Sequence, residues 1–245
     1  MNEVSEASAA GRHVGSITLV RHGQTDYNAV HRMQGQIDIP LNSVGLWQAK
    51  QAGEALRQDY VENKPDRKQL VIASDLARAY ATAQAFAEPL GLTIHADQRL
   101  RERSFGSWEG ETAEDVRERW PEDFHSWMLS GGGELKHGAE PKSAVGQRGL
   151  EALEDWIGSA GEDTDLFVFT HGSWIAQTIQ TLMGISQVRP DFASLGSMRN
   201  AHWARFVPRA LEDGHLRWSL LDYNRGPVIA RQVDWSDPND AVSLD

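Results

Sequence analysis

The chain has 245 residues, no cysteine, and 35 acidic against 24 basic side chains, a formal net charge of −11. Without cysteine there can be no disulfide framework, thiolate metal site or cysteine nucleophile, which suits a reducing, cytoplasmic setting. The acidic balance argues against nucleic acid or anionic membrane as a partner, and no apolar run approaches the length that spans a bilayer.

Residues 1–15 carry acids and small residues and read as a disordered tail, neither signal peptide nor anchor. Ile17 to Val20 is β-branched and apolar, which predicts a strand buried on both faces. Tyr27 to Leu41 predicts a loop with a short helix, which Thr25 or Asp26 is suited to cap. From Ser43 to Tyr60, Leu46, Ala49, Gly53, Leu56 and Tyr60 recur at helical spacing and predict one buried stripe. Leu70 to Ala73 predicts a second strand, with Ser74 placed to cap the next helix. That helix should bury Leu76, Ala79, Ala83 and Phe86 and stop at Pro89-Leu90-Gly91. Leu92 to His95 predicts a third strand.

Thr112 to Met128 predicts two short helices broken at Pro121, and Gly131-Gly132-Gly133 a flexible loop. Ser143 to Ser159 predicts a helix with Leu150, Leu153 and Ile157 on one face. Leu166 to Phe169 predicts a strand and Ser173 to Met183 a helix. Ala201 to Val207 and Leu216 to Leu221 predict two more strands, joined through Glu212-Asp213-Gly214-His215. The acidic residues 225–245 read as a loose tail. Residues 16–224 are thus expected to form one domain, with about 108–142 as an inserted cap. Strands alternating with helices predict a mostly parallel sheet covered on both faces.

Two predicted strands end in His-Gly, at His22-Gly23 and His171-Gly172, and a third leads into Ser74-Asp75-Leu76-Ala77-Arg78. Ligands of open α/β sheets bind beyond the carboxyl ends of the strands. If these strands are parallel neighbours, two imidazoles, the guanidiniums of Arg21 and Arg78 and two helix N-termini converge over one sheet edge. Guanidinium forks match phosphate oxygens and helix N-termini add positive ends, so the convergence predicts a phosphate-ester pocket. Gly23 suits a sharp turn that brings backbone close to a bound group. Taken singly, each residue has a plainer role: Arg78 as a surface charge, His171 as a helix cap, Glu102 as a surface ion pair with Arg101 or Arg103.

Four motifs then occur in order: Arg21-His22-Gly23 with Asn28; Ser74-Asp75-Leu76-Ala77-Arg78-Ala79 with Thr82; Leu100-Arg101-Glu102 with Phe105-Gly106-Ser107-Trp108-Glu109-Gly110; and Thr170-His171-Gly172. Together they resemble the histidine phosphatase superfamily, the phosphoglycerate mutase-like proteins, over Ser16 to Asn224. The resemblance implies an α/β three-layer sandwich: a mostly parallel six-stranded sheet with one antiparallel strand, helices on both faces and a small inserted cap. It implies that His22 becomes phosphorylated and that Arg21, Arg78 and His171 hold the phosphoryl oxygens. Glu102 would protonate the leaving group and then activate water, with Glu109 the second candidate. Gly23, Thr25, Asn28, Gln34 and Gly172 are the further positions expected beside substrate. No metal and no cofactor is expected, since two arginines supply the positive charge.

Mutases of this family hold a second acidic group of the substrate with a basic run in the cap, whereas Glu111 to Arg119 is predominantly acidic. Gly138-Ala139-Glu140 with Arg148 resembles an element of the phosphatase branch. Within it the chain is similar to the glucosyl-3-phosphoglycerate phosphatase group, on His22 to Asn28, Arg32 to Gln36 with Asp38, Arg78-Ala79-Tyr80 and Asn200-Ala201-His202-Trp203. A small phosphorylated substrate, a sugar-phosphoglycerate among the options, is the expected partner, and the resemblance allows a homodimer. Trp108, Trp120 and Trp127 either stack on a sugar or pack the cap. A mutase, a broad phosphatase and an inactive phospho-ligand-binding module are the competing readings.

Overall fold

Each apolar run forms a strand: β1 (Ser16–Arg21), β2 (Lys68–Ala73), β3 (Ile94–Ala96), β4 (Thr164–Thr170), β5 (Trp203–Ala210) and β6 (Leu216–Arg225). The computed structural model describes residues 13–185, 195–210 and 216–244, so the expectations for residues 1–12 and 212–215 lie outside the described residues. The strands form one sheet in the order β3-β2-β4-β1-β5-β6. β1 to β4 pair in parallel, and β5 runs antiparallel to both β1 and β6. The expected sheet, mostly parallel with one reversed strand, is the one observed. Arg21 lies opposite Thr170 and Ala73 opposite Phe169, so the three motif-bearing strands are neighbours that end at one level.

The helices are α1 (Asp26–Ala29), α2 (Ser43–Tyr60), α3 (Ala77–Ala87), α4 (Ala113–Arg119), α5 (Pro121–Met128), α6 (Lys142–Ser159) and α7 (Gly172–Leu182). Side chains alternate across a strand. Leu166 and Val168 of β4 therefore join Leu153, Trp174, Ile175 and Ile179 of α6 and α7, whereas Phe167 and Phe169 join Leu56 of α2 and Phe86 of α3. Both faces are covered by helices, which is why the strands read as apolar runs. Burying a side chain such as Phe86 contributes about 1.5–3 kcal/mol.

Several local expectations change. Leu46 is 57% exposed, and the buried line of α2 runs through Gly45, Ala49, Ala52, Gly53, Leu56 and Tyr60. Small residues win because they admit neighbouring backbone that leucine would exclude. α6 likewise buries Val145, Gly146, Gly149, Ala152 and Leu153, with Leu150 half-buried. There α7 packs close: a Cβ on Gly149 would lie 2.0 Å from Thr178 Oγ1. Ser74 does not cap α3. The first N–H of that helix, on Ala77, donates instead to Asp38 Oδ1 at 2.8 Å.

Between residues 108 and 142, α4 and α5 part at Trp120-Pro121, where proline cannot continue the helix. Gly133, in the stretch expected to be flexible, is buried and opens a 3-10 turn to His137. Trp108 is fully buried against Trp120, Trp127 and His137, at ring-centroid distances of 6.3, 5.8 and 4.9 Å. Trp108 is therefore a packing residue and offers no face to a sugar. Each expected tail also contributes a buried side chain. Val14 is buried, and Trp235 is 4% exposed with its ring 4.7 Å from that of Trp47. None of the described helices is long and apolar enough to cross a membrane.

Candidate active site

β1 delivers Arg21 and His22 to the sheet edge, where His22 is 2% exposed and its Nδ1 lies 2.6 Å from the Gly23 carbonyl oxygen. A carbonyl only accepts, so Nδ1 carries the hydrogen and Nε2 keeps its lone pair. Burial, then the charges of Arg78 and Arg21, holds the His22 pKa well below the usual histidine value. The ring is thus unprotonated at neutral pH, with a free lone pair on Nε2. Gly23 is glycine for a packing reason as well as for access: a Cβ there would sit 2.4 Å from the Gly45 carbonyl oxygen of α2. Its N–H donates to Thr82 Oγ1 at 3.1 Å.

The His171 ring stands edge-on to His22 at 5.2 Å. Its Nε2 is 2.9 Å from Ser74 Oγ, and its side chain does not cap α7. Burial and then the Arg78 charge lower its pKa well below the usual value. Arg78 is fully buried rather than solvated. Its Nη1 donates to the Ile37 carbonyl and its Nη2 to the Gly35 carbonyl, both at 2.8 Å. Arg21 donates through Nη1 to the Met198 carbonyl and passes over Gly172, the first residue of α7. Desolvation lowers both guanidinium pKa values, that of Arg78 to about 10, and both side chains keep their charge at neutral pH.

Three buried nitrogens of these residues have no hydrogen-bond partner: Nε of Arg21, Nε of Arg78 and Nδ1 of His171. A buried donor left unpaired costs about 1–3 kcal/mol. These three atoms lie on the residues whose charges and ring press on His22, the residues expected to hold the phosphoryl oxygens.

Glu102 takes the role that His171 leaves. Its Oε1 accepts the N–H groups of Trp174 (2.9 Å) and Arg103 (2.8 Å), and its Oε2 accepts that of Ser173 (3.1 Å). The carboxyl group therefore sits on the positive end of α7, and its charge acts on both Arg21 and Arg78. Neither flanking arginine binds it by side chain. Arg101 forks onto Asp75 at 2.7 and 2.5 Å, and Arg103 reaches Glu134 at 2.7 Å and the Glu140 carbonyl at 2.6 Å. Arg148 forks onto Glu140 at 2.8 and 3.0 Å and donates to the carbonyls of Arg99, Arg101 and Glu102. That pair fastens the segment carrying Glu102. Glu109 is a tie, with Oε1 accepting from Gln36 N, Ser104 Oγ and Phe105 N.

Of the further expected contacts, Thr25 caps α1 in a reciprocal pair with Asn28, and its hydroxyl donates to Gln34 Oε1 at 2.9 Å. These polar groups brace the loop after His22. Sequence reasoning did not single out Gln48, whose Oε1 accepts the Gln24 N–H at 2.8 Å. Nor did it assign Ser74 to His171, although a serine directly after a motif-bearing strand was a usable signal. Among the described residues, no group of three or more His, Asp or Glu is arranged to hold a metal ion.

The sequence model of the histidine phosphatase superfamily (branch 1) matches residues 17–213. A glucosyl-3-phosphoglycerate phosphatase of Mycolicibacterium vanbaalenii is 33% identical over 240 residues, 90% of this chain and 99% of that one. A probable phosphoglycerate mutase of Yersinia pestis is 32% identical over 231 residues, 94% of each chain. Among solved structures, a mycobacterial glucosyl-3-phosphoglycerate phosphatase complexed with VO3 is similar with a TM-score of 0.73 and 30% identity, covering 87% of this chain and all of that one. Fold, motifs and these likenesses agree, and the chain belongs to the histidine phosphatase superfamily, branch 1.

Proposed function

We propose that the protein is a metal-independent phosphomonoesterase working through a phosphohistidine on His22, and that its substrate is glucosyl-3-phosphoglycerate. The observation that carries the chemistry is the set of unpartnered buried nitrogens on Arg21, Arg78 and His171 beside a neutral His22. These donors hold the phosphoryl oxygens, most strongly as charge spreads over them in the transition state. Nε2 of His22 attacks phosphorus and the ester P–O bond breaks. The leaving alkoxide takes a proton from Glu102, which enters the cycle protonated, through Oε2, the oxygen that accepts a single backbone N–H. The Glu102 carboxylate then takes a proton from water as that water attacks phosphorus, the P–N bond breaks, and inorganic phosphate and free His22 return.

The substrate assignment is supported by the named activity of the mycobacterial relatives. The Yersinia relative favours a mutase instead. Against it, Arg117 and Arg119 of α4, the basic residues of the acidic 111–119 stretch, are tied to Glu114 at 3.7 Å and Glu111 at 2.8 Å. The four acidic side chains of that stretch outnumber these two arginines, which disfavours a second anionic group there. Two measurements test the proposal. Rapid quench with labelled substrate should trap a phosphoenzyme, labile in acid and stable in base, that His22→Ala abolishes. A substrate panel should favour glucosyl-3-phosphoglycerate over 3-phosphoglycerate and sugar phosphates by more than about tenfold in kcat/KM. Isomerisation of 3-phosphoglycerate without phosphate release would sink the phosphatase reading. Activity that chelation abolishes and magnesium or zinc restores would sink its metal independence.

A further inference from the structure

The groups that hold the His22 loop come from distant parts of the chain. Asn200 Nδ2 lies 3.1 Å from the His22 carbonyl oxygen, 3.2 Å from that of Gly23 and 3.1 Å from Asn28 Oδ1. The Gly23 oxygen is also the acceptor for His22 Nδ1–H. Asn200 therefore grips the carbonyl that decides which ring nitrogen of His22 carries the hydrogen. Asn200 is itself held, because its carbonyl accepts Trp235 Nε1–H at 2.9 Å and His202 Nδ1–H at 3.0 Å. On the other side of the loop, Gln48 accepts the Gln24 N–H and donates from Nε2 to the Trp235 carbonyl at 2.6 Å. Trp235 bridges both arms.

We infer that Asn200 is a positioning residue for His22, clamped by Trp235, in a brace that runs from Gln24 through Gln48, Trp235 and Asn200 to the Gly23 carbonyl. The peptide after a glycine has no side chain of its own to stop it turning. If the Gly23 carbonyl turned, Nδ1 would lose its acceptor, and the ring could rotate or exchange tautomers. Nε2 would then no longer face phosphorus. The unpartnered nitrogens of Arg21, Arg78 and His171 do not take part in the brace. It should govern the attack of His22 rather than the affinity for an anion. The inference rests on the phosphohistidine reading, and its test separates the two.

The test uses the full chain with Asn200→Ala and Trp235→Phe. Its readouts are p-nitrophenyl phosphate turnover, inhibition by inorganic phosphate, and two-bond 1H–15N spectra of the histidine rings, assigned with His22→Asn. For Asn200→Ala, kcat should fall about 10- to 100-fold while the inhibition constant for phosphate stays within about threefold. The His22 signals should move from a single Nδ1–H pattern toward an exchange-averaged one. Trp235→Phe keeps the ring contact with Trp47 but loses the N–H donor, and should move the same readouts in the same direction by less. A kcat within about twofold of wild type in Asn200→Ala would overturn the inference. So would a loss of phosphate affinity in step with kcat, which is the mark of general unfolding. A wild-type chain inert toward every ester would sink the phosphatase reading instead. The His22 tautomer pattern would then decide the brace, supporting it if Asn200→Ala shifts the signals and overturning it if they stay.

Discussion

The Ser74 hydroxyl oxygen lies 2.9 Å from His171 Nε2 and accepts the Leu76 N–H at 3.3 Å. With one lone pair engaged by Leu76, the hydroxyl can donate its own hydrogen to Nε2, which leaves the ring hydrogen on Nδ1. A neutral His171 then offers an N–H to an anion without adding charge beside Arg21 and Arg78. Ser74→Ala should release the tautomer and weaken inhibition by inorganic phosphate about fivefold, the worth of one buried hydrogen bond. Unchanged inhibition would remove Ser74 from the site.

Glu102→Gln keeps one acceptor oxygen for the N–H groups at the start of α7 but cannot deliver a proton as an acid. Turnover of alkyl phosphates, whose leaving groups need protonation, should fall about 100-fold or more. The rate of His22 phosphorylation by p-nitrophenyl phosphate should fall much less. Equal losses on both esters would assign the donor role elsewhere, with Glu109 next in line.

The buried histidines set a pH dependence of definite sign. Burial lowers the His202 pKa from 6.5 to about 4. The folded state therefore resists a proton that the unfolded chain takes up. The stability contribution is complete above pH 6.5 and is lost as pH falls from 6.5 toward 4, by up to about 3 kcal/mol. His22 and His171, also lowered, act in the same sense. Urea unfolding at about pH 7 and about pH 5 should show this loss in the wild type and a smaller one in His202→Gln. The acid limb of kcat/KM should lie well below pH 6.5, because His22 stays unprotonated there. A midpoint near 6.5 would contradict the buried, neutral nucleophile.

Arg103 and Glu134 form an ion pair at 2.7 Å with side chains 2% and 3% exposed, tying the Glu102 segment to the turn after α5. Removing one buried partner leaves the other charge uncompensated and costs about 3–5 kcal/mol. Glu134→Ala should lower stability by that order in a denaturant titration. Glu134→Gln, which retains an acceptor for Arg103, should cost less. Equal stability of Glu134→Ala and wild type would show that Arg103 finds another partner.

The convergence of β1, β2 and β4 was legible because apolar runs mark doubly buried strands and each led into a motif. The burial of Arg78 was not legible. Its desolvation is offset by the Gly35 and Ile37 carbonyls, which arrive from a loop about forty residues away and carry no side-chain signature. The cap of α7 was not legible for the same reason: its acceptor, Glu102, comes from another segment, while the residue in the local cap position, His171, turns to Ser74. A lone tryptophan among acids and prolines has no periodicity, so Trp235 looked like part of a tail.

His22 stands near the start of the chain, and the amide that grips its loop lies 178 residues further on. Gln48 and Trp235 are separated by 187 residues. Contacts this distant in sequence close late, as does the pairing of Ile17 in β1 with Phe206 in β5, whereas helices form from nearby residues with less loop entropy to overcome. Helix should therefore precede competence. On refolding from denaturant, the far-UV circular dichroism signal should recover before p-nitrophenyl phosphate turnover, and simultaneous recovery would show that the site closes with the core. During synthesis the protein would then stay chemically silent, its nucleophile already made but not yet held, until Trp235 has emerged and docked.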